Sequence, residues 1–82
     1  MWYLYILETA DGRLYTGITN HIKRRMAQHK EGKGAKFTRS FGFKKLLYTE
    51  KFLTKSAALK KEKQIQQLTR PQKLALISKS LS

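Results

Sequence analysis

Two charged side chains, Arg25 and Glu62, lie on or beside the apolar stripe of segments with helical periodicity. An arginine guanidinium can hold a phosphate through paired hydrogen bonds, and a carboxylate can hold a divalent cation whose other ligands are water and phosphate oxygens. Cations around a nearby tyrosine would lower its pKa from about 10 and make a phenolate base available. These residue types suit phosphodiester hydrolysis. The alternative is an internal salt bridge between Arg25 and Glu62, because buried charges are usually paired.

Two tyrosines, Tyr5 and Tyr15, come from aromatic and β-branched segments that predict the two strands of a hairpin. A two-residue loop would place these tyrosines on opposite faces of the hairpin. A three-residue loop over residues 10–12, with Gly12 left-handed, places them on one face and gathers the apolar residues on the other. We therefore predict the three-residue loop. Gly17, on the tyrosine face, would let another group approach the strand closely.

A helix predicted after the hairpin carries Arg25 and His29. Asn20 is suited to cap its first turn, and Gly32 is suited to end it. At about 3.6 residues per turn, Arg25 and His29 fall on the apolar side, whereas Arg24 points outward. An arginine on that side needs an anionic partner to offset its desolvation.

A basic stretch over residues 32–45, predicted as a loop, alternates cations with phenylalanines. Cations interleaved with rings suit phosphates and stacked bases, so we expect Lys33, Lys36 and Arg39 to bind nucleic acid. Alternatively, the phenylalanines simply anchor the loop to the core, which is the commoner role of aromatic residues.

The second half of the chain reads as one strand and two helices. Residues 46–49 predict a third strand, with an extension to Phe52. A helix capped by Thr54 carries Glu62 among Ala58, Leu59, Ile65 and Leu68. Thr69 and Gln72 have the capping-box spacing and predict a last helix to about Lys79, with Leu74 and Ile77 on its apolar side. The predicted order is ββαβαα.

The composition favours a nucleic acid as partner. The chain has 82 residues, which suits a single domain, and a formal net charge of +13. It has no cysteine, which excludes disulfides and thiolate zinc sites. The apolar run at residues 2–7 is too short to span a bilayer, and the chain begins without the pattern of a signal peptide. We therefore expect a cytoplasmic protein with no membrane partner, associated with DNA or RNA.

The same residues, in this order and spacing, resemble the GIY-YIG nuclease superfamily, specifically its branch of small single-domain bacterial endonucleases. The matching positions run through most of the chain: Tyr3-Leu4-Tyr5 at the first motif, Tyr15-Thr16-Gly17 at the second, Arg25 at the family's arginine, His29 where relatives place Tyr or His, and Glu62 at the glutamate. Tyr3 replaces the first motif's glycine. Larger relatives carry a late asparagine, whereas the only asparagine here is Asn20.

The resemblance implies an α/β sandwich with a three-stranded antiparallel sheet flanked by helices, one domain over residues 1–82. It also implies hydrolysis of DNA with a single Mg²⁺ or Mn²⁺ on Glu62. Tyr5, Tyr15 or His29 would activate water, and Arg25 would stabilise charge on the phosphate. The expected substrate is branched, damaged or single-stranded DNA, as in DNA repair, cut with little sequence specificity. A non-catalytic DNA- or RNA-binding protein, or a structural protein of a ribonucleoprotein, is the alternative.

Overall fold

One three-stranded antiparallel sheet, in the strand order β2-β1-β3, organises the fold. The computed structural model describes residues 1–33 and 36–81, the side chains of residues 36–38 and 81 excepted. In chain order the elements are β1 (Trp2–Glu8), β2 (Leu14–Thr19), α1 (Ile22–Lys30), α2 (Lys36–Phe41), β3 (Lys45–Phe52), α3 (Lys55–Gln66) and α4 (Arg70–Leu81). The predicted α/β class and the order ββαβαα are confirmed. The short helix α2 corrects the prediction that residues 32–45 are all loop.

The hairpin between β1 and β2 has the predicted three-residue loop. Tyr5 pairs with Gly17, and Leu7 pairs with Tyr15, so both tyrosines point to one face. Gly12 has a φ of 88°, a left-handed conformation that glycine adopts without strain. The Thr9 N–H donates to the Arg13 carbonyl at 2.8 Å and closes the loop. The register that positions the tyrosines therefore follows from the loop length.

The hydrophobic core lies on the sheet face opposite the tyrosines. Leu4 and Ile6 of β1 pack there with Ile65 of α3 and Ile77 of α4. Because side chains alternate along a strand, the neighbouring Tyr5 points to the other face, where α1 lies. The sheet thus separates a core side, covered by α3 and α4, from a tyrosine side, approached by α1.

Helix α1 is held at both ends by local hydrogen bonds. Its N-cap is His21 and not Asn20 as predicted, because the Thr19 hydroxyl accepts from the His21 N–H at 3.1 Å and keeps the chain turning for one more residue. The His21 Nδ1 then accepts from the Arg24 N–H at 3.2 Å. At the other end, Gly32 has a φ of 78° and donates to the His29 carbonyl at 3.0 Å, as predicted for a glycine stop.

The apolar stripes of the last two helices differ in part from the prediction. Thr54 caps α3, and Thr69 and Gln72 form the capping box of α4, as predicted. Leu59 and Leu74, however, are 37% and 41% exposed. On α4, Leu76 packs beside Ile77 in place of Leu74. The helix is therefore rotated slightly about its axis relative to the predicted orientation. Among the described residues, no helix is long and apolar enough to cross a membrane.

Candidate active site

A buried hydrogen bond joins the hairpin to helix α1. The Tyr5 hydroxyl lies 2.8 Å from the His29 Nε2, and both residues are at most 2% exposed. The register puts Tyr5 on this face, and the phase of α1 turns His29 inward. The sequence predicted each orientation separately but not the bond, which two residues 24 positions apart can form only once the helix has docked.

Tyr15 completes an aromatic cluster with this pair. Its ring centroid lies 6.2 Å from that of Tyr5 and 5.6 Å from that of His29, and the ring plane is inclined at 61° to the imidazole. Such tilted and edge-on contacts suit the charge distribution of aromatic rings. The two tyrosines and the histidine therefore form one rigid group with its polar atoms close together.

Gly17 is needed because the Tyr5 ring lies directly over it. A Cβ at position 17 would come within 2.6 Å of the Tyr5 hydroxyl oxygen and 2.7 Å of its Cζ, closer than van der Waals contact allows. The close approach expected at this glycine is thus made by the protein's own tyrosine. Its predicted contact with nucleic acid stays a prediction.

The variant Gly17→Ala is expected to displace the Tyr5 ring and break its bond to His29. We expect a loss of about 1–3 kcal/mol in the free energy of unfolding, typical of an overpacked core. Urea denaturation measures this loss. The control is the same change in a Tyr5→Leu background, where the shorter side chain ends before it reaches position 17. An equal loss in both backgrounds would contradict the assigned contact.

Burial controls the ionisation of both tyrosines. Desolvation raises the pKa of Tyr5 well above its ordinary value, and the Tyr15 and Glu62 charges raise it further, against the opposing effect of Arg25. Desolvation also raises the pKa of Tyr15, aided by Glu62 and again opposed by Arg25. Arg25 lowers both pKa values, as expected of a surrounding cation, but burial outweighs its effect. The further lowering expected from a bound metal stays a prediction. Both phenols are protonated at neutral pH.

His29 is neutral at physiological pH. Its burial, and then the nearby positive charge of Arg25, lower its pKa from 6.5 to about 4. A neutral imidazole has one nitrogen that accepts a proton. In the tautomer that carries the ring proton on Nδ1, the Tyr5 hydroxyl donates its hydrogen bond to the His29 Nε2.

The depressed pKa of His29 predicts a stability that falls in acid. Between pH 6.5 and about 4 the unfolded imidazole binds a proton that the folded one does not, so stability decreases as the pH falls through this window. The expected loss is about 1–3 kcal/mol. Urea denaturation from pH 7 to pH 4 measures it, and His29→Gln should remove this component. The control is His21→Asn, which replaces the exposed imidazole with another capping residue and should leave the acid transition in place.

Arg25 and Arg24 differ in exposure as the helix phase predicted. Arg25 is half-buried and close enough to Tyr5, Tyr15 and His29 to affect all three pKa values, whereas Arg24 is exposed. Among the described side chains, the ion pairs join Asp11 to Arg13 and Glu8 to Lys44. Arg25 and Glu62 do not form the internal salt bridge that was the structural alternative.

Glu62, on α3, affects the cluster through its charge. It is half-buried, desolvation raises its pKa, and its charge in turn raises the pKa of Tyr15 and Tyr5. No group of three or more His, Asp or Glu that could hold a metal occurs within the described part of the chain. A single partly desolvated carboxylate fits a Mg²⁺ or Mn²⁺ that keeps several waters and also binds substrate phosphate. It does not fit a site built from protein ligands alone.

Two of the predicted nucleic-acid-binding cations, Lys33 and Arg39, are on the surface. Lys33 directly follows Gly32 at the end of α1, Arg39 lies on α2, and both are exposed. The side chain of Lys36 lies outside the described residues. Phe41, at the end of α2, is half-buried beneath the Arg13 guanidinium, whose central carbon lies 4.2 Å from the ring centroid. This phenylalanine therefore packs against Arg13, and the expectation that the phenylalanines anchor the segment to the core stays a prediction.

Comparisons with known proteins find relatives in both sequence and fold. Residues 1–75 match the sequence model of the GIY-YIG catalytic domain. The UPF0213 protein OB0043 of Oceanobacillus iheyensis is 49% identical over 75 residues, 92% of this chain and 87% of that protein. The UPF0213 protein YhbQ of Escherichia coli is 44% identical over 79 residues, 96% and 79% of the two chains. The solution NMR structure of the UPF0213 protein BH0048 from Bacillus halodurans is 43% identical, with a TM-score of 0.61 over 95% of this chain and 84% of that one.

Proposed function

Because the chain belongs to the family of GIY-YIG catalytic domains, we propose that it is a divalent-metal-dependent endonuclease that hydrolyses phosphodiester bonds of DNA. The observation that carries the proposal is the buried bond between the Tyr5 hydroxyl and the His29 Nε2, within reach of the Arg25 and Glu62 charges. A structural phenol needs no such pair of opposite charges beside it. A phosphoryl-transfer site needs a cation for the phosphate, a carboxylate for the metal and an acceptor for the proton of water.

Tyr5 and His29 would share the task of removing the proton from water. With the ring proton on Nδ1, the His29 Nε2 accepts the phenol proton over the 2.8 Å bond. In the same step the Tyr5 oxygen would take a proton from the attacking water, the water oxygen would bond to phosphorus, and the ester oxygen would leave and take up a proton from solvent. This relay avoids a preformed phenolate, which the burial of Tyr5 disfavours.

The two charged residues would act on the phosphate from different elements. Arg25, on α1, would stabilise the negative charge that develops on the phosphate oxygens. Glu62, on α3, would hold the divalent cation, which when bound supplies Lewis-acid polarisation of the phosphate. Tyr15 packs against both members of the Tyr5–His29 pair and would keep them in place.

The proposal is tested by incubating the protein with supercoiled, branched and single-stranded DNA in Mg²⁺, in Mn²⁺ and in EDTA. We expect cleavage with either metal and none in EDTA. Tyr5→Phe, which keeps the ring over Gly17 but removes the hydroxyl, is the matched inactive variant. Cleavage by Tyr5→Phe at the wild-type rate would refute the relay, and cleavage in EDTA would refute metal dependence.

A non-catalytic DNA- or RNA-binding protein is the second candidate. It is favoured because the described residues contain no group of three or more possible metal ligands, and Glu62 is the carboxylate that affects the tyrosines. It predicts tight binding to nucleic acid with no products under any metal condition. The same incubations, read both for binding and for cleavage, separate the two candidates.

A further inference from the structure

A second concave site lies where the hairpin meets helix α4. It is a cavity of about 230 Å³ lined by Arg13, Leu14, Arg70 and Lys73. Three of these four residues are cations, and none is acidic. Arg70 and Lys73 are three positions apart on α4, so they project from the same side of the helix. Asp11 forms an ion pair with Arg13, but the ion pairs among the described residues include neither Arg70 nor Lys73. The Arg70 and Lys73 charges repel each other, and an anion between them removes that cost.

Arg13 is held in place by its neighbours. Its Nε donates to the Asp11 Oδ2 at 2.8 Å, and its guanidinium stacks on the Phe41 ring at 4.2 Å. The Asp11 carboxylate is bonded in turn to the Thr9 hydroxyl. The contact with Asp11 uses the Nε edge of the guanidinium, whose two terminal nitrogens carry further donors. A fixed guanidinium loses little side-chain entropy when it binds a phosphate.

The cavity lies beside the tyrosine cluster without being part of it. Arg13 comes two residues before Tyr15, so its backbone lies about 7 Å away along the same chain direction. β2 is an edge strand of the sheet, and α4 packs on the opposite face from Tyr15. A strand of nucleic acid that crosses this edge could therefore contact both the cavity and the tyrosine cluster within a few nucleotides. Successive phosphates of one strand of a duplex are separated by about 3.4 Å along the helix axis.

We propose that this cavity, formed by Arg13, Arg70 and Lys73, binds a second phosphodiester of the nucleic acid, a few nucleotides from the linkage that lies at the tyrosine cluster. The site holds the strand and takes no part in bond breaking. The inference rests on the nucleic-acid binding in the proposed function but not on cleavage. A protein that binds DNA at this cavity and never cuts it would refute the nuclease and leave the second site standing.

The test compares two double variants with equal loss of charge. Arg70→Gln/Lys73→Gln removes two cavity cations, and Lys60→Gln/Lys63→Gln removes two exposed cations of α3 with the same spacing. Binding of a fluorescent oligonucleotide is measured in EDTA over a range of salt concentrations. We expect the cavity variant to bind about tenfold more weakly at low salt. The slope of log binding constant against log salt concentration should become less negative by about 1, as expected for the loss of one phosphate contact.

The control variant should weaken binding by less than about threefold, because both of its lysines are exposed and salt screens exposed charges. Equal losses from the two double variants would overturn the proposal, since the cavity would then act only through net charge. Arg13→Gln tests the cavity from the hairpin side, away from α4. It must weaken binding in the same way, and wild-type binding by this variant would also overturn the proposal.

Inorganic phosphate identifies the chemistry of the ligand. Titrated into the ¹⁵N-labelled wild type, it should shift the amide signals of residues 13, 70 and 73 above those of other exposed cations. An unlabelled oligonucleotide should then reverse the phosphate-dependent changes by competition. Shifts spread evenly over the basic surface would overturn the site. Phosphate that stays bound when the oligonucleotide is added would assign the cavity to a free anion and overturn the link to DNA.

Discussion

Arg25→Ala is expected to reduce the rate of DNA cleavage by about 10²–10³-fold, the usual cost of losing one preorganised charge contact to a reacting group. Arg24→Ala should change it by less than about threefold, the scale of an exposed charge. The two residues are adjacent, carry the same charge and lie on the same helix. Arg25, however, affects the ionisation of Tyr5, Tyr15 and His29, whereas Arg24 is exposed.

Single-turnover cleavage at saturating protein measures this difference without a contribution from binding. Arg25→Lys is the second variant, because it keeps the charge but loses the planar fork that grips a phosphate. We expect it to recover part of the rate. Equal losses from Arg24→Ala and Arg25→Ala would show that α1 contributes only general charge and that its inward face has no catalytic part.

The features that could be predicted from sequence are those controlled by short-range periodicity. Side chains alternate along a strand, so only an odd loop could place Tyr5 and Tyr15 together, and the structure has that loop. The phase of α1 separated Arg25 from Arg24 for a similar reason. The helix caps at Thr54 and Thr69 could also be predicted from the sequence, because each depends on a few consecutive residues.

The features that could not be predicted depend on how the elements dock. Burial of Tyr5 outweighs the nearby charge of Arg25 in setting the pKa of the phenol, and nothing local to Tyr5 indicates how much water is excluded. His21 replaced Asn20 as N-cap because the Thr19 hydroxyl extended the turn. Leu59 and Leu74 are exposed because the sheet covers only part of each helix stripe.

Glu62→Gln is expected to abolish metal-dependent cleavage while preserving or raising stability. A bound cation is worth several kcal/mol of transition-state stabilisation, so we expect a loss of at least about 10³-fold in rate. Glutamine keeps the size of the side chain but is a much weaker ligand for a hard cation. The measurements are cleavage across a Mn²⁺ titration and thermal melting of wild type and variant at pH 7.

The stability of this variant follows from the raised pKa of Glu62. Burial makes the folded carboxyl harder to ionise than the unfolded one, so its charge opposes folding above the folded pKa, and the wild type gains stability as the pH falls through that pKa. Glutamine carries no charge and should remove this pH-dependent component. At pH 7 the melting temperature of the variant should therefore equal or exceed that of the wild type.

A structural role for Glu62 would give the opposite pattern. If a protein cation held its carboxylate, the change to glutamine would leave that cation unpaired and lower the melting temperature by several degrees. Glu50→Gln is the matched control, because Glu50 is also half-buried but accepts a hydrogen bond from the Tyr48 hydroxyl at 2.6 Å and should lose stability without losing metal-dependent cleavage. A destabilised Glu62→Gln that still cuts DNA with the wild-type response to Mn²⁺ would remove Glu62 from the metal site. A stable variant that binds DNA but does not cut it would assign the metal to this carboxylate.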